Sequence, residues 1–144
     1  MKLLMFDTNE FWYKTFDKTL DHVDTVDTEV SVRDALVIFI NVEKEDETQR
    51  DKIVKKAVEN ICWLTRKTGR NRVVLHSFAH LSDSKSSVTF AEEAFRLIMD
   101  ALNAKGRETH MTPFGYFLEF KIYVRGNPWR RYGNPFRSVS LHTN

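Results

Sequence analysis

Ala35-Leu-Val-Ile-Phe-Ile40 is an unbroken apolar run, closed by Asn41 and Val42. It is dominated by β-branched and aromatic residues, which fit a pleated backbone better than a helix. Six residues are far fewer than the roughly 20 a membrane-spanning helix needs. This segment is the strongest strand signal in the chain, and it commits the protein to a sheet. The other short apolar run, Leu3 to Phe6, reads as a second buried strand.

The remaining elements follow from periodicity. Glu10 to Phe16 is rich in strand-favouring residues and is expected to form a hairpin with Lys2 to Phe6 through a turn at Asp7-Thr8-Asn9. Residues 17–31 are acidic and weakly periodic, the pattern of an exposed loop. Between about Thr48 and Thr68, Ile53, Val54, Ala57, Val58, Ile61 and Leu64 recur at spacings of three and four, one face of an amphipathic helix that Gly69 is placed to end. Arg72 to Leu75 reads as a short strand. A second helix has its stripe at Ala91, Ala94, Phe95, Ile98, Ala101 and Leu102, with Thr89 and Glu92 as its expected capping box and Gly106 just past its end. Phe117 to Arg125 alternates as a half-buried strand, and Glu108 to Thr112 is a further strand candidate. The order β-β-β-α-β-α-β predicts an α/β fold: a mixed sheet with both helices on one face and the other face open for a partner, such as a second copy of the chain.

At 144 residues the chain is one domain in length, too short for two independent catalytic domains. All three prolines lie in the last third, and residues 126–144 are expected to be a tail or linker towards further domains. A single cysteine, Cys62, excludes an internal disulfide and a thiolate metal cluster; it is expected as a buried thiol in a reducing, cytoplasmic setting. Met1-Lys2 leads into an apolar run with no cleavage site, so no secretory signal is expected. Net charge is only +2, but it is uneven: residues 1–30 sum to −4 and residues 120–144 to +5. The basic end permits contact with a polyanion.

His76 and His80 are four apart, the spacing of zinc ligands on a helix, but they fall at a strand end and in the loop after it, and no acidic residue completes a metal motif. No metal site and no cofactor are expected. Two loops are left as candidate sites. Ser77-Phe78-Ala79-His80-Leu81-Ser82 follows a strand and leads towards a helix, where α/β folds place ligands. Met111-Thr112-Pro113-Phe114-Gly115-Tyr116 precedes the last strand, and Gly115 permits close approach of another backbone. Pattern alone leaves a structural role open for both.

Taken in order, these segments resemble the archaeal type of N-terminal editing domain of threonyl-tRNA synthetase, whose fold is related to the D-aminoacyl-tRNA deacylases. The residues that carry the resemblance are Leu3-Leu4, Phe16 to Leu20, Val42-Glu43-Lys44, Ser77 to Ser82, Ser87-Val88, Pro113 to Tyr116, Phe120-Lys121-Ile122 and Gly126-Asn127-Pro128. They span almost the whole chain.

The resemblance implies a proofreading hydrolase that removes L-serine from mischarged threonine tRNA and spares the L-threonyl ester. It implies a substrate pocket around Val42, Ala79, His80 and Phe114, bordered by Phe117 and Leu118. It implies no catalytic side chain, because the 2′-OH of the terminal adenosine assists the reaction. Its implied partners are threonine tRNA, the catalytic and anticodon-binding domains of the synthetase in cis or in trans, and a second copy as homodimer. Lys121, Arg130, Arg131 and Arg137 are its tRNA-contact candidates. Members often carry a tyrosine and a lysine where this chain has Phe117 and Leu118, and an acidic residue of the tail is replaced by Arg131. Those departures keep two other readings open: an inactive tRNA-binding or docking module, and a D-aminoacyl-tRNA deacylase.

Overall fold

The apolar run of residues 35–40 becomes the second half of a long central strand. The computed structural model describes residues 1–126 and 136–141. In chain order the elements are β1 (Lys2–Lys18), β2 (Glu29–Asn41), α1 (Arg50–Thr68), β3 (Arg72–Ser77), α2 (Val88–Ala104), β4 (Glu108–Met111), β5 (Tyr116–Val124) and β6 (Phe136–Ser140), with a 3-10 turn at Lys44–Thr48 between β2 and α1. One sheet holds all six strands in the order β4-β3-β2-β1-β5, and β6 pairs with the first part of β1. β2, β3 and β4 are parallel; every other pairing is antiparallel.

The parallel part explains why both helices lie on one face, as expected. Each crossover, β2-α1-β3 and β3-α2-β4, steps one strand in the same direction across the sheet. Crossovers of this kind are right-handed, so two steps in one direction put both helices on the same side. Ile53, Ala57, Ile61 and Leu64 of α1 and Ala94, Phe95, Ile98 and Leu102 of α2 pack there against Leu3, Met5, Leu36, Ile38, Ile40, Val73 and Leu75. Cys62 is buried in the same layer. Gly69 ends α1 at φ +70°, a left-handed backbone that a side chain would strain. The cap of α2 differs from expectation: Ser87, not Thr89, is the N-cap, and its hydroxyl accepts from the Phe90 N–H at 3.2 Å.

No hairpin forms at Asp7-Thr8-Asn9. Residues on both sides of that segment pair with the same long partner, Lys2 to Thr8 with Ala35 to Asn41 and Glu10 to Lys14 with Glu29 to Arg33, so β1 runs straight through. The segment is instead a kink. Leu4 and Phe6 point into the same cluster as Phe11 and Tyr13, so inward positions change from even to odd across Asn9. β2 makes the matching change at Asp34: Val30 and Val32 face the cluster before it, Ala35, Val37 and Phe39 after it. Asp34 has φ +53°, a left-handed conformation that Asp and Asn adopt more readily than other non-glycine residues. Alternation has period two, so one irregular residue on each strand exchanges the faces of both. The Arg70 guanidinium pins the kink, with Nε donating to Asp7 Oδ1 at 2.8 Å and Nη1 to Asp34 Oδ1 at 3.3 Å.

The kink curls the sheet on the side away from the helices. Phe11 lies opposite Val32, seven positions along β2 from Phe39. In a flat sheet that is about 23 Å, yet the two rings are 6.4 Å apart. The second face is therefore not open at its centre, contrary to expectation: Phe11, Val37 and Val74 are fully buried by the sheet's own curl. Two further boundaries move. Asp17 and Lys18 complete β1, and Glu29 to Ser31 begin β2, which leaves 19–28 as the acidic loop. Within the expected tail, residues 136–140 form β6, and Leu141 is buried in the helix-side core.

Candidate functional site

The carboxyl ends of the three parallel strands lie side by side, and each delivers one of the segments singled out above. β2 leads into Val42 and Glu43, β3 into Phe78-Ala79-His80, and β4 into Thr112-Pro113-Phe114. This edge is where open α/β sheets bind ligands, because the chain leaves every strand there with backbone groups that the sheet no longer satisfies.

The first two segments are joined by a run of hydrogen bonds. The Phe78 N–H donates to Ile40 O at 2.9 Å, and the Ser86 N–H to Val42 O at 3.1 Å. Asn41 Nδ2 donates to Ser84 O at 3.1 Å. Ser82 Oγ donates to Glu43 Oε2 at 2.8 Å and accepts from the Ser84 N–H at 3.1 Å. Glu43 is itself buried, with Oε1 2.8 Å from the α-ammonium of Met1, and that ammonium also meets Asp46 Oδ1 at 2.7 Å. Asp46 Oδ2 in turn accepts from the Glu43 N–H at 2.7 Å, closing the cap of the 3-10 turn. Among the described residues, none accepts from the backbone N–H groups of Ala79 or His80. These donors project from a span tied down at both ends.

The third segment is fixed differently. The Thr112 N–H donates to Leu75 O at 3.0 Å, and Thr112 Oγ1 is hydrogen-bonded to His76 Nδ1 at 2.9 Å. Phe114 packs edge-on against Phe95 of α2, with ring centroids 5.9 Å apart. Gly115 has φ +83°, and a Cβ there would lie 3.0 Å from both Leu20 and Val23 of the acidic loop. That loop is held in place by Thr19 N–H donating to Gly115 O, Val26 N–H donating to the Tyr116 hydroxyl, and the hydroxyl donating to Asp24 O.

His76 stands behind the edge, within an aromatic cluster. Its ring is 4.9 Å from that of Phe39 and 5.9 Å from that of Phe120, and Phe78 and Phe11 complete the surround. Burial among apolar rings pushes its pKa down to about 4, so it is a neutral hydrogen-bonding pillar at pH 7. His80 is exposed, its ring 5.1 Å from that of Phe78. Among the described residues no group of three or more His, Cys, Asp or Glu is gathered as a metal site would require. No helix of the described residues is long and apolar enough to cross a membrane.

Of the expected pocket residues, Val42 is buried and Ala79 and Phe114 are half-buried at this edge. Phe117 and Leu118 lie beyond it on β5, opposite Asp17 and Thr15; Leu118 packs into the aromatic cluster and Phe117 is 58% exposed. Of the expected basic contacts, the two among the described residues each lie against a tryptophan. Lys121 Nζ is 5.1 Å from the Trp12 ring, and Arg137 is 4.3 Å from the ring of Trp63 on α1. Arg130 and Arg131 lie outside the described residues. Sequence reading missed the serine–carboxylate stitching and the neutral His76. The one signal for the first was the acidic pair Glu43 and Asp46 directly after an apolar strand.

Residues 1–133 match the family model for the archaea-specific editing domain of threonyl-tRNA synthetase. The chain is 33% identical over 131 residues to the threonine–tRNA ligase of Pyrococcus horikoshii and 34% identical over 131 residues to that of Thermococcus kodakarensis. It is 33% identical over 130 residues to the enzyme of Methanosphaera stadtmanae. Each match covers 89% of this chain but 21% of the relative, so the chain spans about a fifth of the length of these curated relatives. On the strength of a match along almost its entire length, this chain belongs to the archaea-specific editing-domain family of threonyl-tRNA synthetase.

Proposed function

We propose that this domain is an aminoacyl-tRNA ester hydrolase that removes L-serine from mischarged threonine tRNA and leaves the L-threonyl ester intact. The observation that supports the reading is the span between Phe78 and Ser82, anchored at both ends on the segment that carries Val42, with the Ala79 and His80 N–H groups engaged by no described residue. Serine and threonine differ by one methyl group, and a single methyl is worth only about 1–3 kcal/mol in a binding pocket. A synthetic site of modest discrimination therefore needs a second, smaller sieve. Backbone walls suit that sieve, because they cannot rotate aside as side chains do.

The proposed chemistry is the one that the resemblance to the editing domains implies. Phe117 and Leu118 cannot transfer a proton, and His76 is buried and neutral. The ribose 2′-OH of the terminal adenosine instead positions a water for attack on the carbonyl carbon of the ester. The backbone donors of Ala79 and His80 stabilise the oxyanion as the carbonyl becomes tetrahedral. The bond from that carbon to the ribose 3′-oxygen then breaks, the water's proton passes to the 3′-oxygen, and free serine leaves. No metal or cofactor enters this scheme. Threonine tRNA is the proposed partner, together with the synthetase catalytic and anticodon-binding domains in cis or in trans, a second copy of the chain as homodimer, and a cytoplasmic setting.

The test is direct. Incubation with seryl- and threonyl-tRNA for threonine should release serine well above the spontaneous rate and threonine only at background. Equal background loss of both would leave a tRNA-binding or docking module as the better reading, one that Phe117 and Leu118 already favour over an enzyme with a side-chain base. Faster loss of D-aminoacyl esters would assign the domain to the deacylases instead. A tRNA ending in 2′-deoxyadenosine should abolish turnover.

A further inference from the structure

We propose that Ser82, held by Glu43, is a positioning residue that sets the aperture between Val42 and the Ala79–His80 backbone, and with it the discrimination between ligands that differ by one methyl. The inference deepens the hydrolase reading above and rests on it. It starts from the way the span is tied. Phe78 is anchored on Ile40 O, and the next anchor is the Ser82 hydroxyl, leaving only Ala79, His80 and Leu81 between them. Both anchors belong to the end of β2 and its continuation, the segment that also carries Val42. The two walls of the expected pocket are therefore parts of one unit.

The Ser82 hydroxyl has one proton, and it is committed to Glu43 Oε2; its lone pair accepts from the Ser84 N–H. A carboxylate acceptor makes the bond charge-assisted and about twice as strong as a neutral one. Glu43 cannot drift with it, because the carboxylate is buried and its other oxygen is 2.8 Å from the Met1 ammonium. Without the hydroxyl the next hydrogen-bonded anchor is Ser84, through Asn41 Nδ2 and Glu45 Oε2, so the stretch with no hydrogen bond to the β2 segment grows by two residues, with Leu81 held by its packing against the aromatic cluster. The strands and helices do not depend on this bond. The sub-ångström definition needed to refuse a methyl does, since a misplacement of about 1 Å is worth on the order of a hundredfold in a preorganised site.

The experiment uses the whole chain with Ser82→Ala, Ser82→Thr and Glu43→Gln. With seryl- and threonyl-tRNA for threonine, Ser82→Ala should lower the ratio of the two kcat/KM values by about tenfold, mainly through faster loss of the threonyl ester. Ser82→Thr keeps the hydroxyl and should return the ratio to within about twofold of the parent; Glu43→Gln keeps an acceptor without the charge and should fall between. An unchanged ratio in a folded Ser82→Ala protein overturns the proposal; should that variant fail to fold, an unchanged ratio in Glu43→Gln does so. Amide exchange separates this from the parent reading. Protection at the Phe78 and Ser86 N–H groups, which tie the loop to Ile40 O and Val42 O, should drop in Ser82→Ala while that of α1 is retained, even if the domain hydrolyses neither ester; equal protection at both overturns the positioning role independently of activity.

Discussion

The two faces of the sheet are built on different principles. On the helix side, aliphatic residues of β1, β2 and β3 meet one stripe from each helix, and the layer closes by ordinary two-layer packing. On the other side no helix of the described residues packs; Phe11, Phe39, Phe78 and Phe120 surround His76, Phe6 stacks edge-on against Phe39, and the layer closes because β1 and β2 kink together at Asn9 and Asp34. The first face supplies most of the buried aliphatic area. The second brings a polar group, Thr112, and the rim residue Phe120 up to the edge where the candidate site lies. A layer closed by bending leaves a rim, and Phe120 at that rim remains 37% exposed. The comparison teaches that one sheet can bury both of its faces without a second domain, one by packing helices and one by bending.

The largest expected difference between the faces is in stability. Ile38→Ala removes a fully buried side chain from the helix-side layer and should cost about 4 kcal/mol, whereas Phe120→Ala at the rim should cost about half that or less, despite its greater volume. Denaturant unfolding of both variants checks this; equal losses would erase the distinction. The second difference is in pH response. His76 is protonated less readily in the folded protein than in the unfolded chain, so the unfolded state takes up the extra proton between pH 6.5 and about 4. Stability is therefore complete above pH 6.5 and falls with pH through that window, by about 2 kcal/mol between pH 7 and pH 5. His76→Leu should flatten this part of the profile, and a slope unchanged by the substitution would place its origin elsewhere. The smallest effect concerns the kink. Asp34→Val puts a β-branched residue at φ +53° and removes the Arg70 contact, which should cost about 1–2 kcal/mol. Asp34→Gly should cost less, and near-ultraviolet circular dichroism should report disturbed aromatic packing in the Val variant before any loss of helix signal.

Legibility in the sequence followed the range of the interactions. Both helices were readable because spacings of three and four register within one element. The buried run of β2 was readable because it has no polar interruption. Asp7-Thr8-Asn9 carried a true signal of irregular backbone, but whether it became a turn or a kink depended on the partner: β2 is long enough to pair with both halves of β1. Strand β6 was lost to the composition of the tail, since its five residues gain their structure only from the edge of β1. For the candidate site, Val42, Ala79, His80 and Phe114 were legible through the resemblance, and the sheet brings their segments to one edge. The link from Ser82 to Glu43 was not, because its partners are 39 positions apart and neither type is unusual for a surface.

The sequence alone determined the two amphipathic helices, the central apolar strand, the sheet fold with both helices on one face, and the family resemblance, because each is written in local spacing or in ordered short motifs. Only the tertiary structure decided how the far face closes, that His76 is buried and neutral, and which groups hold the Ala79–His80 span. Each of these results from contacts between residues distant in the chain, whose energies depend on burial and bond geometry that no local pattern encodes.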